Sequence, residues 1–164
     1  MKSFASTTAL IVLTLLGANL AGSQVAPKHE MDDGFTKPAP RAQALLDATL
    51  QSSPEVLAMM MHVRPPNRRL NVVIASNIGR IGEIGDKDDL RCIRTGKSNL
   101  EVNTAGNHFE DELALKDQSG RIVGAIGIVF NYRSGDDRSA LVATANRIRA
   151  ALAKQIENKR SLFD

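Results

Sequence analysis

The sequence is poor in cysteine, with Cys92 as the single thiol among 164 residues. An intramolecular disulfide is therefore excluded, and the core must be held together by packing alone. A lone cysteine most often behaves as a small buried apolar side chain, and we expect this role for Cys92. Pairing with another chain, or a reactive thiol, is the alternative.

A long hydrophobic run is also missing. The apolar stretch at residues 9–18 falls well short of the roughly 20 residues that a membrane-spanning helix needs. Lys2 precedes this stretch and the small residues 21–23 follow it, which is the pattern of a cleavable secretory signal. We expect cleavage after Ser23, a periplasmic or secreted product, and no membrane span after signal cleavage. An uncleaved membrane anchor is the alternative.

The chain has no dedicated basic block. Without residues 1–23 it retains 141 residues, enough for one domain, and a net charge of +2, because Lys2 is the only ionisable side chain lost from a total of +3. Acidic and basic residues alternate along the chain, so nucleic acid is not an expected partner.

Nucleotide-binding motifs fail on spacing. Residues 96–98, Gly-Lys-Ser, resemble the end of a phosphate-binding loop, but the glycine required five positions earlier is replaced by Arg91. Gly79, Gly82 and Gly85 are spaced by three, which does not fit a dinucleotide fingerprint. We therefore expect no cofactor.

Signs of catalysis are equally sparse. His29, His62 and His108 are the only histidines, and none has the close spacing of a local metal site. No serine lies in a Gly-x-Ser-x-Gly context. We expect neither a metal site nor an enzyme. The alternative is a small periplasmic enzyme in which His62 or His108 acts as a base, with a carboxylate or nucleophile within hydrogen-bond reach.

The pattern of the first half predicts a helix and a β-hairpin. Residues 24–37 show no period and indicate a flexible lead-in. Apolar residues recur at helical spacing over 39–51, and the β-branched run at 70–76 pairs with 56–64 across a proline turn. Met59 and Met61 share one surface of that strand, which favours core packing.

The second half predicts a short helix, three strands and a long helix. Asp86 is the expected N-cap of the short helix, Leu90 and Ile93 face inward, and Gly96 ends it. Strands follow at 99–104, 107–116 and 121–132, then a helix from about 134 to about 158 and a C-terminal tail, 159–164. The last strand is apolar on both faces and should be central.

The strand at 107–116 has one polar face. Phe109, Leu113 and Leu115 alternate with His108, Glu110, Glu112 and Lys116, so the polar face either contacts water or lines a polar site. Gly124 and Gly127 in the next strand indicate that a helix or a ligand packs close to the sheet there.

Two segments resemble the Cache domains, which are extracytoplasmic PAS-like sensor modules. The first comprises residues 73–77 with 81–82 and 88–90; the second, residues 113–127, is similar to the closing hairpin of the family. The resemblance covers about residues 38–156, and we assign the domain to 38–158. It implies an α+β fold with a five-stranded antiparallel sheet, an N-terminal helix, a short helix between strands 2 and 3, a long C-terminal helix, and a small-molecule pocket between the sheet and the short helix.

The resemblance also implies an exported, sensor-like domain that binds an unidentified small molecule without covalent chemistry. Such domains usually feed an output module, and none is found in these 164 residues, so a signal would leave through an envelope signalling or transport protein. An alternative is an interaction module that docks another envelope protein. As ligand-binding residues we predict polar side chains on the strands and adjoining loops: His62, Asn77, Arg80, His108 and Glu110.

Overall fold

The computed structural model describes residues 30–103 and 105–164. The proposed signal, residues 24–29 of the lead-in and residue 104 lie outside the described residues. The elements follow the predicted order: α1 Pro40–Ser52, β1 Val56–Val63, β2 Val72–Ser76, α2 Lys87–Thr95, β3 Asn99–Asn103, β4 His108–Lys116, β5 Ile122–Asn131, α3 Arg138–Ala153, and a final 3₁₀ turn, Arg160–Phe163.

The five strands form one antiparallel sheet in the order β2-β1-β5-β4-β3. β5 is central, with β1 on one side and β4 on the other, as its apolar faces predict. The predicted α+β fold with a five-stranded antiparallel sheet is thus confirmed.

The hydrophobic core lies between one face of the sheet and the helices α1 and α3. Met59 and Met61 of β1 both point into it and are fully buried, as the strand period predicts. From β4 and α3 the core receives fully or almost fully buried side chains: Phe109, Leu113, Leu115, Ala145, Ile148 and Leu152. The alternating polar residues Glu110 and Glu112 therefore lie on the opposite face, whereas Asp111 is buried on the core face.

Residues 30–37, which the sequence predicts to be part of a flexible lead-in, make specific contacts with the rest of the domain. The backbone N–H groups of Asp32 and Ile84 donate to the carbonyls of Gly82 and Glu30, each at 2.8 Å. The Phe35 ring packs edge-on against Phe163, with centroids 6.5 Å apart. The partners of this segment are distant in sequence, so no local pattern indicates them.

The long helix ends at Ala153, about five residues earlier than predicted. The turn between β4 and β5 caps its end, because the backbone N–H of Gln118 donates to the carbonyl of Ile156 and the Gln118 amide donates to that of Lys154, both at 2.8 Å. In residues 159–164, predicted as a tail, Leu162 is fully buried in the core. This segment therefore packs with the domain.

Among the helices in the described part of the chain, none combines the length and the hydrophobicity needed to span a bilayer.

Candidate ligand-binding site

The helix α2 is fixed at both ends by its own sequence. Asp86 is the N-cap, and its side chain accepts from the backbone N–H groups of Asp88 at 2.8 Å and Asp89 at 3.2 Å. The Asp89 carboxylate accepts in return from the Asp86 N–H at 2.9 Å, which completes a capping box. Gly96 ends the helix with φ of 71°. Both predicted ends are confirmed.

The inward face of α2 differs from the prediction. Leu90 is 43% exposed, whereas Asp89 is only 3% exposed and Cys92 is fully buried. The prediction for Leu90 is wrong, and Ile93 is half-buried. The burial of a carboxylate is tolerated because Asp89 finds hydrogen-bond partners on the inside.

Cys92 has the expected role of a small buried side chain. Its Sγ lies 3.4 Å from the carbonyl oxygen of Glu112 on β4. Burial, together with the nearby charge of Glu112, raises the pKa of the Cys92 thiol to about 11. The thiol is therefore protonated at neutral pH and is a poor nucleophile.

His62 on β1 and Asp89 on α2 form a buried pair, with 2.5 Å between Nδ1 and Oδ2. His62 is 8% exposed. Burial by itself would raise the pKa of Asp89, but the hydrogen bonds from His62 and Glu112, the positive charge of His62 and the hydrogen bond from the Asp86 N–H together hold the pKa below its usual value. Asp89 is thus an anion that joins the helix to the sheet.

Glu112 and Glu110 on β4 point to the same side of the sheet. Burial raises the pKa of Glu112 to about 10, and its hydrogen bond to Asp89 adds to the increase. Glu112 therefore carries a proton at neutral pH and donates it to Asp89. Burial, with the charge of Glu101 beside it, also raises the pKa of Glu110.

These side chains line a cavity of about 440 Å³ between the sheet and the segment that contains α2. Met60 and Ile84 add apolar surface to its lining, and His62 and Arg80 add two bases. The remaining ionisable residues of the lining are eight carboxylates: Glu30, Glu83, Asp86, Asp88, Asp89, Glu101, Glu110 and Glu112. A chain with a net charge of +3 therefore contains a strongly acidic cavity.

Gly127 leaves room for this cavity. It lies opposite Met60 on β1 and Glu112 on β4. A Cβ atom at this position would approach Oε1 of Glu110 to 2.9 Å. At Gly124 a Cβ would clash with the His62 carbonyl group of β1, so the close neighbours of both glycines belong to adjacent strands and not to the helix or ligand that the sequence predicts.

Three of the five predicted ligand-binding residues, His62, Arg80 and Glu110, line the cavity. Asn77 and His108 do not. The Asn77 side chain accepts from the Met59 N–H at 2.8 Å and donates to the Leu57 carbonyl at 3.0 Å, so it extends the contact between β1 and β2. His108 is exposed at the start of β4.

The predicted set omits most of the acidic lining. Glu112 was signalled by the alternation along β4, whereas acidic residues in the first turn of a helix, such as Asp88 and Asp89, are accounted for by the helix dipole and do not indicate a cavity. Glu30 belongs to residues 24–37, whose sequence shows no helical or strand periodicity. Glu101 lies directly opposite Glu110 on the edge strand β3, a neighbour relation that depends on register.

One oxygen each from Asp86, Asp89 and Glu112 lie within 4.8 Å of one another, a spacing that a metal ion can bridge. Asp86 and Asp89 already accept N–H groups of the helix, and Glu112 holds a proton against Asp89. A cation at this point would have to displace that proton.

The comparisons identify the fold without a family. No family model matches the chain, and no curated protein matches it. Among solved structures, the chain is similar to the GAF domain region of a protein from Geobacter sulfurreducens, with a TM-score of 0.53 and 8% identity, over 68% of this chain and 90% of that one. This likeness shows a GAF/PAS-like fold.

Two further structures are more distant. The nlh2 GAF domain of A. aeolicus, in an inactive state, has a TM-score of 0.49 and 16% identity, over 68% of this chain and 80% of that one. An inducer-binding domain of the PobR transcription factor from Acinetobacter, in complex with 3-hydroxybenzoic acid, has a TM-score of 0.44 and 8% identity, over 73% and 97% of the two chains.

Proposed function

We propose that this chain is an exported, sensor-like domain that binds a small molecule non-covalently in the acidic cavity. The observation that carries the proposal is the cavity itself: about 440 Å³, with charged side chains on its walls. This volume lies in the range of about 300–1,000 Å³ typical of small-molecule sites. Export and the assignment to the Cache domains rest on the sequence patterns described above.

The walls of the cavity suggest how binding would be sensed. The floor is the sheet, which contributes Met60, Glu110 and Glu112, and the opposite wall contains the start of α2. The buried pair of His62 and Asp89 joins the two walls. A ligand that contacts both walls would change the position of α2 relative to the sheet, and a partner protein would recognise that change.

An enzyme is the second candidate, and the contact between His62 and Asp89 favours it. A carboxylate within hydrogen-bond reach was the condition for His62 to act as a base, and Asp89 meets it. However, His62 is only 8% exposed, and the Cys92 thiol is protonated at neutral pH. We therefore place non-covalent binding first. The interaction module is less favoured because a cavity is present, whereas an exposed apolar patch without a cavity would favour docking of another protein.

The proposal is tested by native mass spectrometry of the protein purified from its own host, together with a thermal-shift screen of amines, amino acids, carboxylates and purines. We expect a bound compound, or a rise in melting temperature with at least one class, since a ligand of the folded state stabilises it by mass action. Gly127→Leu, which fills the cavity, should abolish the shift, whereas Ala143→Leu on the exposed side of α3 should not. An empty protein that no compound stabilises would overturn the proposal.

A further inference from the structure

We propose that the ligand of this cavity is a small organic cation, with an ammonium or guanidinium group held by the carboxylates of β3 and β4. This inference rests on the proposed function and names the chemical class of the ligand.

The charge balance of the cavity disfavours an anionic ligand. Both bases of the lining are already paired: Arg80 lies 3.5 Å from Glu83, and His62 lies 2.5 Å from Asp89. Each has a carboxylate at short range, which weakens its attraction for a ligand carboxylate or phosphate. An anion in this cavity would face an excess of carboxylates, which costs free energy at short range.

Three carboxyl groups of the sheet line the cavity without a lysine or arginine partner among the described residues, although Glu101 accepts from the Asn99 amide at 3.0 Å and Glu112 is hydrogen-bonded to Asp89. Glu101 and Glu110 lie directly opposite each other on β3 and β4, and Glu112 lies two residues further along β4 on the same face. Within residues 30–103 and 105–164, no lysine or arginine forms an ion pair with any of the three. Like charges directly opposite each other in a sheet are destabilising, and a bound cation would relieve this repulsion.

The size and lining of the cavity favour an organic cation over a metal ion. The volume of about 440 Å³ is far larger than the roughly 30 Å³ that one water occupies in the liquid. Met60 and Ile84 add apolar surface beside the carboxylates, and Gly127 leaves a gap in the sheet floor. Such a site fits a cationic group attached to a short apolar body.

Binding of a cation should also release a proton. Glu112 faces Asp86 and Asp89 of α2, Glu110 of its own strand, and His62 of β1 behind Asp89. Because Glu112 is protonated at neutral pH, a cation that contacts it would favour the carboxylate and expel the proton. Affinity should then rise with pH, by up to about tenfold per pH unit for one proton expelled.

The test compares matched probes on the purified chain by thermal shift and calorimetry. n-Butylamine, 1,4-diaminobutane and guanidinobutane carry the cation. 1-Butanol and butyrate are the neutral and anionic controls, and magnesium and calcium chloride represent metal ions. We expect only the organic cations to bind. Their affinity should fall about tenfold or more in Glu110→Gln and in Glu101→Gln. Glu157→Gln removes the same charge from an exposed site outside the cavity and should leave the affinity unchanged.

The outcomes separate this inference from the proposed function. Binding of the neutral or anionic probes, or of the metal ions in place of the organic cations, would overturn the cation assignment and leave the cavity as a ligand site. If Glu157→Gln weakens cation binding as much as Glu110→Gln does, the cation assignment is also overturned. The loss of affinity would then come from the change in net charge and not from a lost contact in the cavity. A protein that binds no probe, no screened compound and no native ligand would overturn both.

Discussion

The Nδ1 atom of His62 lies 2.5 Å from Oδ2 of Asp89, and this contact connects the sheet to α2 across one wall of the cavity. Asp89 also closes the capping box of the helix by accepting the Asp86 N–H. A single buried carboxylate therefore sets both the start of α2 and its orientation on the sheet.

Asp89→Ala should destabilise the domain far more than Leu90→Ala. The first removes the Asp89 half of the capping box and leaves His62 without its partner, which together cost about 2–4 kcal/mol. The second truncates a side chain that is 43% exposed and should cost less than about 1 kcal/mol. Urea unfolding measures both. A larger loss for Leu90→Ala would show that α2 has the opposite orientation.

Glu112→Gln should flatten the decrease in stability with pH. The pKa of Glu112 in the folded state, about 10, lies above its ordinary value of 4.5. Folding therefore takes up a proton between these values, and the free energy of unfolding falls as pH rises through this window. Glutamine is neutral throughout, so unfolding free energies at about pH 6 and about pH 9 should differ less in the variant. Glu157→Gln is the control, and equal slopes in all three proteins would contradict the buried proton.

Asp111→Asn should raise the free energy of unfolding, relative to the native protein, more at neutral pH than at acid pH. Asp111 is fully buried on the core face of β4, and neither carboxylate oxygen has a hydrogen-bond partner among the described residues. Burial raises its pKa to about 6 from 3.8, although Arg149 opposes the shift. As pH rises from 3.8 to about 6, the free energy of unfolding of the native protein should therefore fall by on the order of 2 kcal/mol. The variant has no carboxyl group at this position and should not show this decrease. Parallel curves of unfolding free energy against pH would contradict this assignment.

Asn77→Ala should reduce stability without removing a ligand contact. Its amide bridges the Met59 N–H and the Leu57 carbonyl of β1, and the loss of these two hydrogen bonds should cost about 1–2 kcal/mol. Asn77→Asp keeps the acceptor for Met59 and should recover part of this loss. If the alanine variant stays fully stable but no longer binds the ligand found by the screen, Asn77 contacts the ligand after all.

The glycines of β5 should respond differently to alanine. Gly124→Ala places a methyl group against the backbone carbonyl of His62, which cannot move without disrupting the sheet, and should cost more than about 2 kcal/mol. Gly127→Ala meets only the end of the Glu110 side chain and should cost less than about 1 kcal/mol. Thermal unfolding compares the two, and equal losses would contradict the open space beside Gly127.

The candidate site could be predicted in part. The alternation along β4 placed Glu110 and Glu112 on one polar face, and Asp86 was predicted as a cap from its position before the helix. The inward turn of Asp89 could not be predicted, because local rules favour burial of Leu90 over that of a carboxylate. Asn77 was a reasonable ligand contact by residue type, but its amide is engaged by the β1 backbone.

The sequence by itself determined the order and type of the elements, since the spacing of apolar residues, the caps and the turn residues act over a few neighbours. It also determined that no disulfide within the chain supports the core. Only the tertiary structure decided which carboxylates meet in the cavity: Glu30, Asp89, Glu101 and Glu110 come from four separate segments. Their proximity depends on strand register and on the rotation of α2, and both are set by long-range packing.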